Sequence, residues 1–190
     1  MAFILASGSP RRRELLEMFG LAELRVLKPV RDEVLVPGRG PAETVMALSA
    51  AKAEEIAEQA EAGDVVIAAD TVVFLDGEIL GKPKSRQEAG QMLRRLSGRE
   101  HSVFSGVTVS KGEKSLTRAE QTKVRFRPLS DREIGAYIET GEPMDKAGAY
   151  GVQGVGSLFV EGIEGDFFNV MGLPLCLLGK MLEELGARLL

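Results

Sequence analysis

Residues 3–20 read FILASGSPRRRELLEMFG and combine a short strand, a tight turn and the start of a helix. Phe3–Ala6 is wholly apolar, as a short buried strand would be. Ser9 suits the N-cap of a helix, Pro10 suits its first position, and Gly20 suits its end. The segment therefore predicts a strand, turn and helix in immediate succession, which is the basic unit of an α/β fold.

Strand-like and helical patterns alternate along the rest of the chain. Val65–Leu75 is nearly all apolar and rich in β-branched residues, and the Asp76-Gly77 pair that follows is a strong hairpin signal. Two further strand-like runs are Ser102–Ser110 and Ser115–Phe126. Helical patterns begin near Pro41, Ser85, Ser130 and Pro174. This order predicts a mixed α/β sheet instead of a purely parallel one.

The amino-acid composition argues against nucleic-acid-binding, membrane and secreted proteins. The 190 residues carry 24 Lys and Arg against 28 Asp and Glu, a net charge of −4, which argues against a general binder of nucleic acid or anionic membranes. No apolar run approaches the ~20 residues that span a bilayer, and no secretory pattern is present. A single cysteine fits a reducing compartment. We expect a cytoplasmic protein whose residues 1–190 form one domain, since no linker or repeat divides them.

Three arginines, Arg11–Arg13, occupy the first turn of the predicted helix. Helix N-termini carry partial positive charge and favour acidic side chains, so an anion should offset this cluster. Backbone N–H groups, the hydroxyls of Ser7 and Ser9, and Gly8, which permits close approach, would together form a phosphate-binding turn. The alternative is a solvated basic turn or a patch that binds a partner protein.

Asp70 lies inside the apolar run Val65–Leu75. A carboxylate buried there costs several kcal/mol unless a metal, a cation or water meets it, which makes Asp70 a candidate functional residue. The alternative is an aspartate at a strand end that caps a loop, with Thr71 as a structural hydroxyl.

Three weaker candidates are two lysines and one glutamine. Lys82 stands between a glycine and a proline that stiffens the chain, and Lys52 stands in a segment of small residues. Gly148–Gly156 contains four glycines in nine residues and displays the amide of Gln153. The alternatives are two solvent-facing lysines and a plain loop.

Other polar residues are interpreted as structural. His101 is the only histidine, which excludes a metal site built from several histidines. Cys176 is predicted to lie in the core, on the apolar face of the last helix. Glu54, Glu55 and Glu58 are predicted to form a solvated helix face.

Five separated motifs together resemble the Maf family of nucleoside triphosphate pyrophosphatases, from about Phe3 to Leu185. In chain order the motifs are Ser7–Leu16, Ala69–Val73, Gly81–Pro83, Leu96–His101, and Thr140–Pro143 continuing to Gln153-Gly154. Gly8 stands where alanine is common and Val152 where isoleucine is common, and neither departure removes a functional group.

The resemblance implies an enzyme that needs a divalent metal, Mg²⁺ or Mn²⁺, and cuts a nucleoside triphosphate to monophosphate and pyrophosphate. It also implies an elongated, twisted mixed sheet flanked by helices, with two lobes around a cleft, similar to inosine triphosphate pyrophosphatases. Roles in nucleotide-pool sanitation and in arrest of cell division come with the family, and a homodimer is compatible with it. Arg13, Thr71 and Gln153 match the branch of the family that acts on dTTP and UTP, whereas the branch that acts on 7-methyl-GTP differs at these positions. Modified pyrimidine nucleotides are further candidate substrates.

The family's site positions carry over residue by residue. They are Ser7, Arg12, Arg13, Lys52 and Lys82 for phosphate, Glu33 and Asp70 for metal, and Asp70 as proton acceptor. Fixed cations would offset the charge that develops on the departing pyrophosphate. One carboxylate could serve as metal ligand or as base, so the role of Asp70 stays open. The amide of Gln153 offers the donor and acceptor that the imide edge of thymine or uracil requires.

Two other functions use the same residues. A non-catalytic nucleotide-binding regulator of septum formation would bind triphosphates without turnover. A phosphatase would release inorganic phosphate, so the identity of the products separates it from a pyrophosphatase.

Overall fold

The computed structural model describes residues 1–31 and 38–190, so the candidate metal ligand Glu33 lies outside the described residues. The strands are β1 (Phe3–Ala6), β2 (Leu24–Leu27), β3 (Val65–Leu75), β4 (Glu78–Leu80), β5 (Glu100–Lys111), β6 (Lys114–Phe126) and β7 (Val160–Glu164). The helices are α1 (Pro10–Glu17), α2 (Pro41–Ala57), α3 (Arg86–Leu96), α4 (Asp131–Glu139), α5 (Phe167–Met171) and α6 (Leu175–Glu184). None of the helices in these ranges is long and apolar enough to cross a membrane.

The described strands form a single mixed sheet in the order β2-β1-β3-β5-β6-β7, with β4 paired to β3 beside that path. The strand β1 pairs in parallel with β2 and β3, whereas β3 with β4 and β6 with β7 pair antiparallel. The prediction of a mixed α/β fold with helices around a sheet is therefore confirmed.

The chain divides into two compact units. The first unit contains residues 1–70, 105–120 and 172–190, and the second contains residues 71–104 and 121–171. Strands β3, β5 and β6 each contribute residues to both units.

In the first unit, α2 packs closely against β5. The Ser49 hydroxyl lies 2.9 Å from the Thr108 hydroxyl, which in turn lies 2.9 Å from the Thr117 hydroxyl on β6. A β-carbon at Gly106 would lie only 2.2 Å from the carbonyl oxygen of Val45, so the helix backbone approaches the strand at this glycine. These contacts fix the position of α2 on the sheet.

Glu55 is buried, contrary to the prediction that it belongs to a solvated face. Its Oε1 accepts the N–H of Val30 at 2.7 Å, and its Oε2 accepts the N–H of Arg31 at 3.2 Å. Glu54 and Glu58 are exposed, as predicted. The difference arises because a chain segment distant in sequence supplies donors that satisfy one carboxylate of this helix.

Cys176 is exposed, so the prediction that it lies in the core is wrong. The side chains of α6 that are buried are Leu178, Met181 and Leu182. Cys176 precedes Leu178 by two positions, about 200° around the helix, which turns it away from the buried face.

In the second unit, α3 and α4 begin at the predicted caps. The Ser85 hydroxyl accepts the N–H of Glu88 at 3.1 Å. Ser130 and Glu133 form a complete capping box, in which each side chain accepts the other residue's N–H. Both helices then bury their apolar faces in a core cluster of this unit.

His101 lies in an aromatic cluster of the second unit and is 3% exposed. Its Nε2 lies 2.8 Å from the Tyr150 hydroxyl, and its ring meets those of Phe126 and Tyr150 edge-on at 5.1 and 5.4 Å. Its Nδ1 has no hydrogen-bond partner within the described ranges. Burial lowers the pKa of His101 from 6.5 to about 4, because the cluster disfavours the charged ring. The interpretation of His101 as a structural residue agrees with this placement.

The buried histidine predicts a loss of stability in acid. Between pH 6.5 and 4 the unfolded chain binds a proton at His101 that the folded chain excludes, so the free energy of unfolding falls as pH falls. We expect a loss of about 3 kcal/mol between pH 7 and pH 4 from this group. Urea unfolding at both pH values measures it, with His101→Phe as the control that removes the titrating group. Equal losses in the wild-type and variant proteins would contradict the prediction.

Candidate active site

The turn after β1 has the composition of an anion site. Ser7 is 5% exposed, and its hydroxyl accepts hydrogen bonds from the backbone N–H of Ser9 and from Nη1 of Arg12, both at 3.2 Å. Nε of Arg12 donates to the carbonyl of Gly172 at 2.8 Å. Ser9 occupies the predicted N-cap, although its own side chain makes no capping bond in this fully described helix. The Ser7 hydroxyl and the Arg12 guanidinium are thus held together at a helix start.

The first turn of α1 favours an anion for two reasons. Its leading N–H groups have no acceptor within the helix, and the helix dipole is positive at this end. The residues of α1, all of them described, include none that is acidic in the first turn. A phosphate group could accept the backbone hydrogen bonds and offset the arginine charge.

Asp70 lies level with this turn on the neighbouring strand. Ala6 of β1 pairs with Ala68 of β3 in parallel register. Ser7 is the next residue after Ala6, and Asp70 is the second residue after Ala68. The carboxyl ends of strands in parallel ladders are where α/β sheets bind ligands, and the ladder of β1 with β3 ends here although β3 continues to Leu75.

Lys52 of α2 meets the Asp70 carboxylate. Its Nζ donates to Oδ1 of Asp70, and the two side chains are 16% and 11% exposed. Attraction between opposite charges is stronger in such a partly dehydrated setting than at the surface. The pair therefore places one negative and one positive group at the level of the turn.

Arg13 occupies a different position from Arg12. Its Nε donates to Oε1 of Glu17 at 2.6 Å on the exposed side of α1. Arg13 and Glu17 both line a surface groove of about 450 Å³. The other lining residues are Gly20, Leu21, Leu24 and Val26. Arg13 and Glu17 are four positions apart on α1, so their ion pair holds the Arg13 guanidinium against the surface of the helix. The adjacent Arg12 instead bonds to Ser7 and Gly172.

Lys28 is a basic residue at this turn that the sequence analysis missed. A β-carbon at Gly8 would lie 3.2 Å from Cδ of Lys28, so the lysine chain crosses the turn where the common alanine would place its methyl group. Leu27 of β2 pairs with Ala6, which brings the residues that follow each strand side by side. The only signal for Lys28 is this strand pairing, which no local pattern reveals.

The other predicted site residues belong to the second unit. Lys82 and Gln153 are both exposed. The N–H of Gly148 donates to the carbonyl of Gly81 at 3.0 Å, which joins the glycine-rich segment to the backbone just before Lys82. Thr71 directly follows Asp70 in β3.

The described residues offer a sparse set of metal ligands. They contain no cluster of three His, Cys, Asp or Glu side chains that could hold an ion. Asp70 is the acidic member of the predicted site that the structure describes, and Glu33 lies outside the described ranges. A Mg²⁺ ion in phosphate chemistry uses one or two carboxylates together with substrate phosphates and water, so a lone buried carboxylate fits a metal that binds with the substrate.

Comparison with known proteins shows one family. The family described as Maf-like protein matches residues 2–185. A dTTP/UTP pyrophosphatase of Symbiobacterium thermophilum is 49% identical over 96% of this chain and 93% of that protein. A dTTP/UTP pyrophosphatase of Carboxydothermus hydrogenoformans is 50% identical over 98% of this chain and 100% of that protein. A solved nucleoside-triphosphatase, a dITP/XTP pyrophosphatase of Mycobacterium abscessus, is 15% identical over 97% of each chain, with a TM-score of 0.45.

Proposed function

The chain belongs to the Maf family, and we propose that it hydrolyses dTTP and UTP to nucleoside monophosphate and pyrophosphate. The observation that carries the proposal is the Lys52–Asp70 pair, whose carboxylate lies level with the turn at Ser7. The relatives named as dTTP/UTP pyrophosphatases, which match nearly the whole chain, support the choice of substrate.

The proposed reaction is attack of water on the α-phosphorus. Asp70 accepts a proton from that water, and pyrophosphate departs with the charge that develops on its oxygens. Arg12, Lys52 and the backbone N–H groups of the turn stabilise the phosphate oxygens, and Lys82 and Arg13 are proposed to do so when substrate is bound.

A divalent metal is part of the proposal. Asp70, with Glu33 as the second carboxylate, would hold Mg²⁺ or Mn²⁺ against the substrate phosphates. The ion would supply Lewis-acid stabilisation of phosphate charge. Oδ1 of Asp70 accepts from the Lys52 ammonium, so Oδ2 is the oxygen proposed to face the metal or the attacking water.

The choice of base is proposed to depend on Gln153, Thr71 and Arg13. The Gln153 amide can donate to O4 and accept from N3–H of thymine or uracil, whereas cytosine presents the reverse pattern, a donor at N4 and an acceptor at N3. Arg13 is included because it matches the dTTP/UTP branch of the family, and its Nε pairs with Glu17 on the exposed side of α1.

We also propose a cytoplasmic location and a homodimer. The single cysteine of the sequence is consistent with a reducing compartment. In that setting, sanitation of the nucleotide pool and arrest of cell division are the proposed physiological roles.

Product analysis tests the proposed function. The protein is incubated with dTTP, UTP, CTP, GTP and 7-methyl-GTP, with Mg²⁺ or Mn²⁺ and separately with chelator, and products are separated by anion exchange. We expect metal-dependent dTMP and UMP together with pyrophosphate. Release of inorganic phosphate would indicate a phosphatase instead. Binding without turnover would favour the nucleotide-binding regulator.

A further inference from the structure

Glu142 binds the backbone of the glycine-rich segment just after Gln153. Its Oε2 accepts the N–H of Val155 at 3.0 Å, and its Oε1 accepts the N–H of Gly156 at 3.2 Å. Both carboxylate oxygens are therefore engaged by two consecutive amides. Hydrogen bonds to a charged acceptor are stronger than neutral ones, so this side chain fixes the backbone on one side of Gln153.

Tyr137 of α4 fixes the backbone on the other side. Its hydroxyl accepts the N–H of Gly151 at 3.1 Å and donates to Oε1 of Glu142 at 2.8 Å. The ring is 1% exposed and meets the Phe159 ring edge-on at 5.0 Å, so the core determines where the hydroxyl lies. Phenol and carboxylate form one connected group that binds three amides flanking Gln153.

The position of Glu142 is itself determined by its neighbours. Its N–H donates to the Thr140 hydroxyl at 3.1 Å, and Nζ of Lys146 donates to its carbonyl at 2.7 Å. A β-carbon at Gly154, where φ is 92°, would lie 2.9 Å from Oε2 of Glu142. The segment thus needs a glycine at the place where the carboxylate approaches it.

We infer that Glu142 is a positioning residue for the choice of base, because it holds the segment from which Gln153 reaches the nucleotide. This inference rests on the proposed function, in which Gln153 recognises the imide edge of a pyrimidine. Gln153 is exposed, so its direction depends on the backbone beneath it. A segment fixed before binding loses less entropy when the base arrives, which favours the base whose donors and acceptors match.

Glu142→Gln tests the inference. An amide nitrogen in place of one oxygen would meet a backbone N–H donor, so one bond is lost and a repulsive contact appears. We expect faster hydrogen exchange of the amides in residues 151–156. We also expect the ratio of affinities for the α,β-imido analogues of dTTP and dCTP, measured by calorimetry, to fall at least about tenfold. Glu139→Gln, which removes an exposed ion pair with Arg86, is the matched control and should change neither quantity.

A double-mutant cycle with Gln153→Ala separates positioning from general damage. If Glu142 acts through Gln153, adding Glu142→Gln to the Gln153→Ala variant should not lower the ratio of affinities for the two analogues any further. Independent, additive losses would overturn the inference, as would unchanged discrimination or unchanged amide exchange in Glu142→Gln alone. Because the analogues are not cleaved, absence of turnover by the wild-type protein would refute the proposed hydrolysis without affecting this cycle. Equal affinity of the wild-type protein for the two analogues would overturn the inference.

Discussion

Asp70→Asn is expected to retain the fold and to lower kcat for dTTP at least about 10³-fold. Asparagine has nearly the same shape, and its carbonyl oxygen can still accept from the Lys52 ammonium. It cannot accept a proton from water, and it is a weaker ligand for a divalent metal than a carboxylate. Because both proposed roles of Asp70 need the negative charge, the loss does not depend on which role dominates.

The stability of Asp70→Asn should change far less than its activity. Lys52 keeps a neutral acceptor but loses its opposite charge, so we expect destabilisation of about 1–3 kcal/mol. Pyrophosphate release at saturating dTTP measures kcat, and urea unfolding measures stability. Retained binding of the α,β-imido analogue of dTTP would show that the site itself persists.

Asp64→Asn supplies the matched control for Asp70→Asn. Asp64 is a second buried carboxylate of the first unit, and its Oδ1 accepts the N–H of Ala2 at 2.8 Å. Backbone N–H donors lower the pKa of Asp64, chiefly that of Ala2, which marks it as a structural acceptor. Its replacement should destabilise the protein and leave kcat near the wild-type value. Near-normal turnover by Asp70→Asn would remove Asp70 from the mechanism.

Local sequence signals predicted the elements that are stabilised by interactions between residues close in sequence. The strand Phe3–Ala6 and the helix after Ser9 formed as expected, because an apolar run, a turn and a proline at the first helical position act within a few residues. The caps Ser85 and Ser130 were predicted for the same reason, since each satisfies N–H groups within its own first turn.

The arrangement of the site depends on contacts that are distant in sequence. Lys28 reaches the turn only because β2 and β1 pair in register, and Glu55 is buried only because a remote segment donates to it. The separate positions of Arg12 and Arg13 depend on which acceptor each guanidinium finds. Residue type identified the candidate residues, but only the pairing of strands and the packing of helices decide which of them meet.

Gly106→Ala is expected to destabilise the protein by about 3 kcal/mol or more. The added carbon would lie 2.2 Å from the carbonyl oxygen of Val45, 2.3 Å from its carbonyl carbon and 2.7 Å from the nitrogen of Met46. These are backbone atoms of α2, so no change of rotamer relieves the contact. The helix must move away from β5, which also strains the hydrogen bond between Ser49 and Thr108.

The same displacement should lower activity, because α2 carries Lys52. Movement of the helix would separate the Lys52 ammonium from Asp70, so we expect kcat to fall together with the free energy of unfolding. Urea unfolding and pyrophosphate release measure the two effects. Gly179→Ala in α6 is the control, since a β-carbon there meets no described atom within 4 Å beyond its own stretch of helix, and alanine favours a helix by up to about 1 kcal/mol. Wild-type stability in Gly106→Ala would show that α2 does not pack against β5 through its backbone, whereas failure to fold would be the extreme form of the expected result.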